Sequence, residues 1–191
     1  MKRVLILIAL GLYFFLLSHC TKQKAMEGQP VVADSVYLSK GNLIVSKTFD
    51  TLRNALTSAI ADRGMVYAIS FCNEAAYPIT AVYGQEGVTI RRASDRYRNP
   101  KNRADSLEST ALAYFVTNKS PRIIRTDNEV HYVKPIVVQG MCLYCHGVPD
   151  KEINPEVLAT IREKYPEDRA TGYREGDLRG LWHVVFRIKP E

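Results

Sequence analysis

Apolar positions change period along this chain. Val45, Phe49, Leu52, Leu56 and Ile60 follow one another at intervals of 4, 3, 4 and 4, one face of an amphipathic helix. That helix can begin as early as Asp34 or Ser35, and Gly64 marks its stop. A second helical stretch runs from Met65 to Tyr83, with Val66, Ile69, Cys72, Ala76 and Ile79 on one side. Pro78 disturbs its later part, because proline lacks the amide hydrogen a helix interior needs. Beyond residue 86 the pattern turns to strands. Gly87 to Arg92 reads as a short strand, and Arg122 to Thr126 and Glu129 to Val138 are β-rich runs flanking an Asp127-Asn128 turn. Leu181 to Lys189 alternates: Trp182, Val184, Phe186 and Ile188 share one face, and His183, Val185, Arg187 and Lys189 the other. Two more helices are expected. Asp105-Ser106-Leu107-Glu108 has capping-box spacing and opens one to about Asn118, and Glu156 to Lys164 forms the other. Helices first and antiparallel strands after give an α+β domain with the N-terminal helices on one side of a small sheet.

The first residues stand apart from this domain. Lys2 and Arg3 precede a 14-residue apolar run, Val4 to Leu17, short for a bilayer-spanning helix, and Leu17-Ser18-His19-Cys20 closes it. A cysteine there resembles a lipobox, with His19 where Gly, Ala or Ser is usual. Residues 1–19 therefore read as a lipoprotein signal peptide with Cys20 acylated, a retained signal anchor being the alternative. Residues 20–33 are a polar tether, and 34–191 are one domain. The chain is expected on the periplasmic side of a bacterial membrane, held by the N-terminal lipid or anchor. Formal charge is +6, and Lys2 and Arg3 leave with the signal, so the mature chain carries a mild +4. Export argues against a nucleic-acid partner.

Cys142-Leu143-Tyr144-Cys145-His146 is a C-x-x-C-H run. Two thiols so spaced can add across the two vinyl groups of one haem, and the histidine is then held beneath the iron. Zinc would need four ligands, and no second C-x-x-C or H-x3-H pair exists. One covalent haem c is the expected cofactor, attached at Cys142 and Cys145 with Tyr144 beside it. Arg91, Arg92, Arg96, Arg98, Lys101 and Arg103 form the densest basic cluster. Guanidinium forks pair carboxylates, so these residues read as partners for haem carboxylates, as internal structural pairs, or as a solvated loop.

Three ordered motifs carry a resemblance. Arg91-Arg92-Ala93-Ser94-Asp95-Arg96-Tyr97-Arg98-Asn99-Pro100-Lys101-Asn102, the run Cys142 to Gly147, and Ala170-Thr171-Gly172-Tyr173-Arg174-Glu175-Gly176-Asp177-Leu178-Arg179-Gly180 resemble a family of small c-type haem domains with a PAS-like fold. Members occur alone or as periplasmic sensory parts of signalling proteins. The likeness covers about Asp34 to Lys189. It departs at His183, where relatives commonly have serine. It implies His/Cys ligation of iron, with the distal cysteine at Cys72, and it brings Arg92, Arg98 and Asn99 among the cofactor-binding residues.

The residues themselves leave the distal ligand open. Cys72 is unpaired once Cys20, Cys142 and Cys145 are assigned, and it is expected to face inward. His131 and His183 could give bis-histidine ligation, and Met65 or Met141 a His/Met pair; an open position is the remaining possibility. His183 falls on the polar strand face, which favours a surface or hydrogen-bonding role. A thiolate would lower the reduction potential. The expected function is a redox or gas sensor module acting on an unknown signalling or redox partner, or alternatively a small electron-transfer cytochrome c. Enzyme activity is not expected: Asp127, Glu129 and His131 sit on a hairpin and are read as facing solvent, as distal acid–base groups would not. Tyr97, Tyr144 and Tyr173 read as packing residues.

Overall fold

A computed structural model describes residues 32–188. The apolar run 4–17, Cys20 and most of the tether lie outside the described residues. Among the described residues no helix is long and apolar enough to cross a membrane.

Helix α1 spans Asp34–Ala81 in two arms, 34–63 and 65–81. They meet at Gly64, whose φ of 80° and ψ of 178° are non-helical. That φ lies where only glycine moves without penalty, so the expected stop is instead a kink. Pro78 does not end the second arm, which runs on to Ala81; the Thr80 hydroxyl donates to the Ala76 carbonyl (2.7 Å) one turn back. After α1 come β1 (Val88–Ala93), a 3-10 turn (Pro100–Asn102), α2 (Ser106–Phe115), β2 (Arg122–Arg125) and β3 (Glu129–Val137). A second 3-10 turn (Gly140–Cys142), α3 (Leu143–His146), α4 (Pro155–Lys164) and β4 (Leu178–Arg187) complete the domain. The strands form one antiparallel sheet in the order β1-β4-β3-β2. The two-residue turn between β2 and β3 is closed by the Thr126 amide on the Glu129 carbonyl (2.9 Å).

Alternation along the strands decides what each face covers. Ile90, Val130, Tyr132, Trp182, Val184 and Phe186 pack with Val45 under the first arm of α1. The approach is close: a β-carbon at Gly41 would collide with the Tyr132 ring, whose hydroxyl donates to Asn42 Oδ1 (2.8 Å). The second arm packs through Ile69 on Ile153, Val157, Leu158 and Ile161 of the α4 region.

The opposite sheet face is covered as well. Ala111, Leu112 and Phe115 of α2 bury Ala93, Val133 and Leu181. The expected capping box opens α2, with Asp105 Oδ1 accepting from the Glu108 amide (2.8 Å) and Glu108 Oε2 accepting from the Asp105 amide (3.0 Å). This cover corrects two expectations. His183 is not at the surface, and His131 does not face solvent; they are 5 % and 6 % exposed. His183 does have the expected hydrogen-bonding role. Its Nδ1 donates to Glu108 Oε1 (2.8 Å), and its Nε2 then accepts from His131 Nδ1 (3.0 Å). Glu108, fully buried, also pairs with Arg91 Nη1 at 3.3 Å. Helix α2 supplies the carboxylate that makes the polar strand face tolerable inside.

Removing Glu108 would strand the buried His183 and take the counter-charge from a half-buried Arg91, so Glu108→Ala is expected to cost about 3–5 kcal/mol, read from urea unfolding. Burial, then the neighbouring His183, pull the His131 pKa below its ordinary 6.5. The unfolded chain therefore binds a proton that the folded chain resists. Stability is expected to fall as pH drops below about 6.5, and to level off below the depressed folded-state value. His131→Asn should flatten that slope.

Candidate functional site

One cavity of about 1110 Å³ dominates the domain. It lies at or just above the upper end of the usual range for small-molecule sites, about 300–1,000 Å³. Leu52, Leu56 and Ile60 of the first α1 arm, Ile69 and Cys72 of the second, Trp182 of β4, and Cys142, Tyr144, Cys145 and His146 of the C-x-x-C-H turn line it. The kink at Gly64 is what lets both arms of one helix face the same space. The apolar stripe that marks the helix in the sequence therefore does two things: its early turns cover the sheet, and its later turns wall the cavity.

The C-x-x-C-H turn is built for presentation. Cys142 ends a 3-10 turn, and Leu143–His146 form a single helical turn. Cys142 and Cys145 carry free thiols, as does Cys72. Burial pushes the Cys145 thiol up to about 11. His146 Nδ1 lies 2.7 Å from the Ala170 carbonyl. A carbonyl only accepts, so Nδ1 bears the hydrogen and Nε2 keeps its lone pair. Burial holds the His146 pKa well below its usual value, and Arg179 and Arg98 push the same way. The imidazole is neutral at neutral pH, the form that binds metal. Tyr173 meets its ring edge-on at 6.3 Å.

Arg98 anchors this arrangement. Its Nη2 donates to the carbonyls of Cys145 (2.6 Å) and Ala170 (3.3 Å), and its Nε pairs with Asp168 Oδ1 at 3.0 Å. One guanidinium thus ties the C-x-x-C-H turn to the segment that orients His146. Asp168 and Ala170 escaped the sequence reading as site residues. Nothing marks Asp168 in the chain, seventy positions from its partner, whereas Ala170 opens a quoted motif without its carbonyl having a readable role.

The remaining expected residues fall as follows. Cys72 lines the cavity on the second α1 arm. Burial raises its pKa, while the charges of Arg92 and Arg98 draw it down. Arg92 lines the cavity too, with a buried Nε that has no hydrogen-bond partner. Asn99 borders the space, but its side-chain oxygen accepts from the Lys101 amide (2.9 Å), capping the 3-10 turn. Tyr144 is 57 % exposed at the cavity's edge, while Tyr97 and Tyr173 are buried packing residues. Of the other ligand candidates, Met65 and Met141 border the cavity, whereas His131 and His183 belong to the buried pair under α2. Arg179 also lines the cavity and was not singled out in the sequence.

A haem joined to Cys142 and Cys145 fits this donor set. Two free thiols, a neutral imidazole with Nε2 unused, a third, half-buried sulfur and an orphaned guanidinium nitrogen all belong to one apolar-walled space.

Fold and site thus define a class: a small α+β domain with a four-stranded antiparallel sheet and a cofactor-sized cavity bordered by a C-x-x-C-H turn. The chain belongs to the Tll0287-like family, which it matches over residues 27–187. A solved structure, the crystal structure of the cyanobacterial heme-protein Tll0287, matches with a TM-score of 0.62 and 30% identity. The match covers 83% of this chain and 99% of that one. No curated protein matches.

Asp168→Asn is expected to leave Arg98 short of its counter-charge in a site only about 10 % exposed. The loss should be about 3–5 kcal/mol, checked by chemical denaturation. The His146 side-chain NMR signals should broaden, because the carbonyl that holds Nδ1 loses its support.

Proposed function

We propose that the chain is a membrane-tethered, extracytoplasmic haem c protein that serves as a redox or gas sensor module. The observation that carries this reading is the convergence of Cys142, Cys145, a tautomer-fixed His146 and Cys72 on one large cavity. The structural likeness to a cyanobacterial heme-protein supports it. Cys142 and Cys145 would hold one haem through thioethers, with His146 Nε2 as one iron ligand and Cys72 Sγ as the other. When bound, the group supplies an iron that changes oxidation state and accepts diatomic ligands.

Cys72 makes the response. Burial favours its thiol, and the charges of Arg92 and Arg98 favour its thiolate. Burial outweighs the two charges and raises the Cys72 pKa, so the sulfur can gain a proton when negative charge is added nearby. Cys72 rides on the arm that follows the Gly64 kink, so release of Sγ frees that arm to shift. An unidentified signalling or redox protein would read the movement. The tether begins at an acylated Cys20, which places the module on the periplasmic side of the membrane. The role is non-enzymatic.

A second reading, a small electron-transfer cytochrome, draws on another feature. Met141, Tyr144 and Val148 expose apolar surface around the attachment turn, 40 %, 57 % and 38 %. Such a patch suits the approach of a redox partner. A carrier keeps its ligands in both oxidation states, and a sensor changes them or takes up carbon monoxide.

Periplasm-matured full-length protein is expected to give the pyridine haemochrome band of two thioethers. The Cys142→Ser, Cys145→Ser double variant should release its haem under acid extraction. Cys72→Ser should lose the ferric low-spin thiolate signals in EPR and optical spectra; an unaltered low-spin spectrum would exclude Cys72 as ligand.

A further inference from the structure

We infer that Arg92 and Arg179 form a cradle for the two carboxylates of the haem, and that Arg98 takes no part in it. This rests on the haem reading above. Four guanidiniums line the cavity, and among the described residues two have a carboxylate partner: Arg53 pairs with Asp50 at 3.2 Å and Arg98 with Asp168 at 3.0 Å. Arg98 has Asp168 and spends its remaining reach on the carbonyls of Cys145 and Ala170. It is committed to the protein.

Arg92 and Arg179 are not. Arg92 Nε is buried without a partner, and its Nη2 reaches only the Ala76 carbonyl at 3.5 Å, a long contact. The guanidinium lies 5.8 Å from the Trp182 ring centre, held against the cavity wall rather than turned to water. Arg179 uses Nη1 on Ser94 Oγ (3.1 Å) and the Arg96 carbonyl (2.9 Å), and has no carboxylate partner. Those two bonds fix its fork without neutralising it. Its burial pushes its pKa down to about 10, so at neutral pH it keeps its charge. Arg92 sits on β1 opposite Trp182 of β4, and Arg179 lies three positions before Trp182 on that same strand. Both side chains line the same cavity.

Two half-buried guanidiniums lacking counter-ions leave a surplus of positive charge at the cavity. A ligand bearing two carboxylates cancels that surplus, and guanidinium forks match carboxylates two bonds at a time. The same chemistry could come from a free dicarboxylate, so the test separates the two sources.

Reduction potentials of the periplasm-matured holoprotein, measured by spectroelectrochemistry between pH 4 and 8, decide the assignment. Arg92→Gln and Arg179→Gln are each expected to lower the midpoint. Each should also add an acidic-range pH dependence absent from the wild type, as an unpaired carboxylate titrates. Arg92→Lys should keep most of the wild-type midpoint, and Arg98→Gln should add no such titration. Haem-loaded Arg92→Gln and Arg179→Gln proteins with a wild-type pH profile would overturn the cradle, as would its appearance in Arg98→Gln alone. A wild-type midpoint that moves with added succinate would hand the two arginines to a free dianion and overturn it also. Absence of any haemochrome in the wild type would remove the functional reading itself and the cradle with it. Haem present with unchanged profiles removes the cradle only.

Discussion

A single hydrogen bond, His146 Nδ1–H to the Ala170 carbonyl, organises the site. It selects the tautomer, fixes the ring plane and leaves Nε2 as the donor of an electron pair. A bond of this kind to a ligating histidine also raises its basicity. Nothing local to the C-x-x-C-H turn could supply it, because the acceptor comes from a segment twenty-four residues on. Arg98 and Asp168 hold that segment, so the imidazole, the attachment turn and the Ala170 loop form one rigid unit.

The cavity facing this unit depends on the kink at Gly64. A straight helix of this length would lay one stripe against the sheet and carry Cys72 away from the cavity. The kink redirects the second arm, which packs on α4 and brings Cys72 to the space that Leu56 and Ile60 also line. Conformational freedom at one glycine thus places a sulfur relative to an imidazole some seventy residues later. The same kink lets one arm cover the sheet while the other bears Cys72.

The two sheet faces handle charge differently. Under α2, Glu108 finds His183 and Arg91, and the polar groups satisfy one another. At the cavity, Arg92 and Arg179 lack acidic partners while Arg98 has one. Neighbouring residues on β1 show the contrast, Arg91 closing the internal network and Arg92 turning to the cavity. A domain that satisfies its buried charges on one face and leaves them open on the other is shaped for a ligand on the open face.

Local rules made much of this legible in the chain. The capping box at Asp105 and Glu108, the Asp127-Asn128 turn, the alternation of β4 and the C-x-x-C-H run each depend on a few adjacent residues, and each stands where the pattern put it. The inward face of Cys72 was legible for the same reason, being a matter of helical period. Partners distant in sequence were not: Asp168 for Arg98, the Ala170 carbonyl for His146, and helix α2 over His131 and His183, which turned an apparently solvent-facing strand face into a buried pair. The sequence by itself determined the elements, the attachment motif and the unpaired sulfur, because periodicity and spacing are local. Only the tertiary structure decided which arginine is committed, which tautomer His146 adopts and which polar residues are buried, because those depend on groups that meet only when the chain is folded.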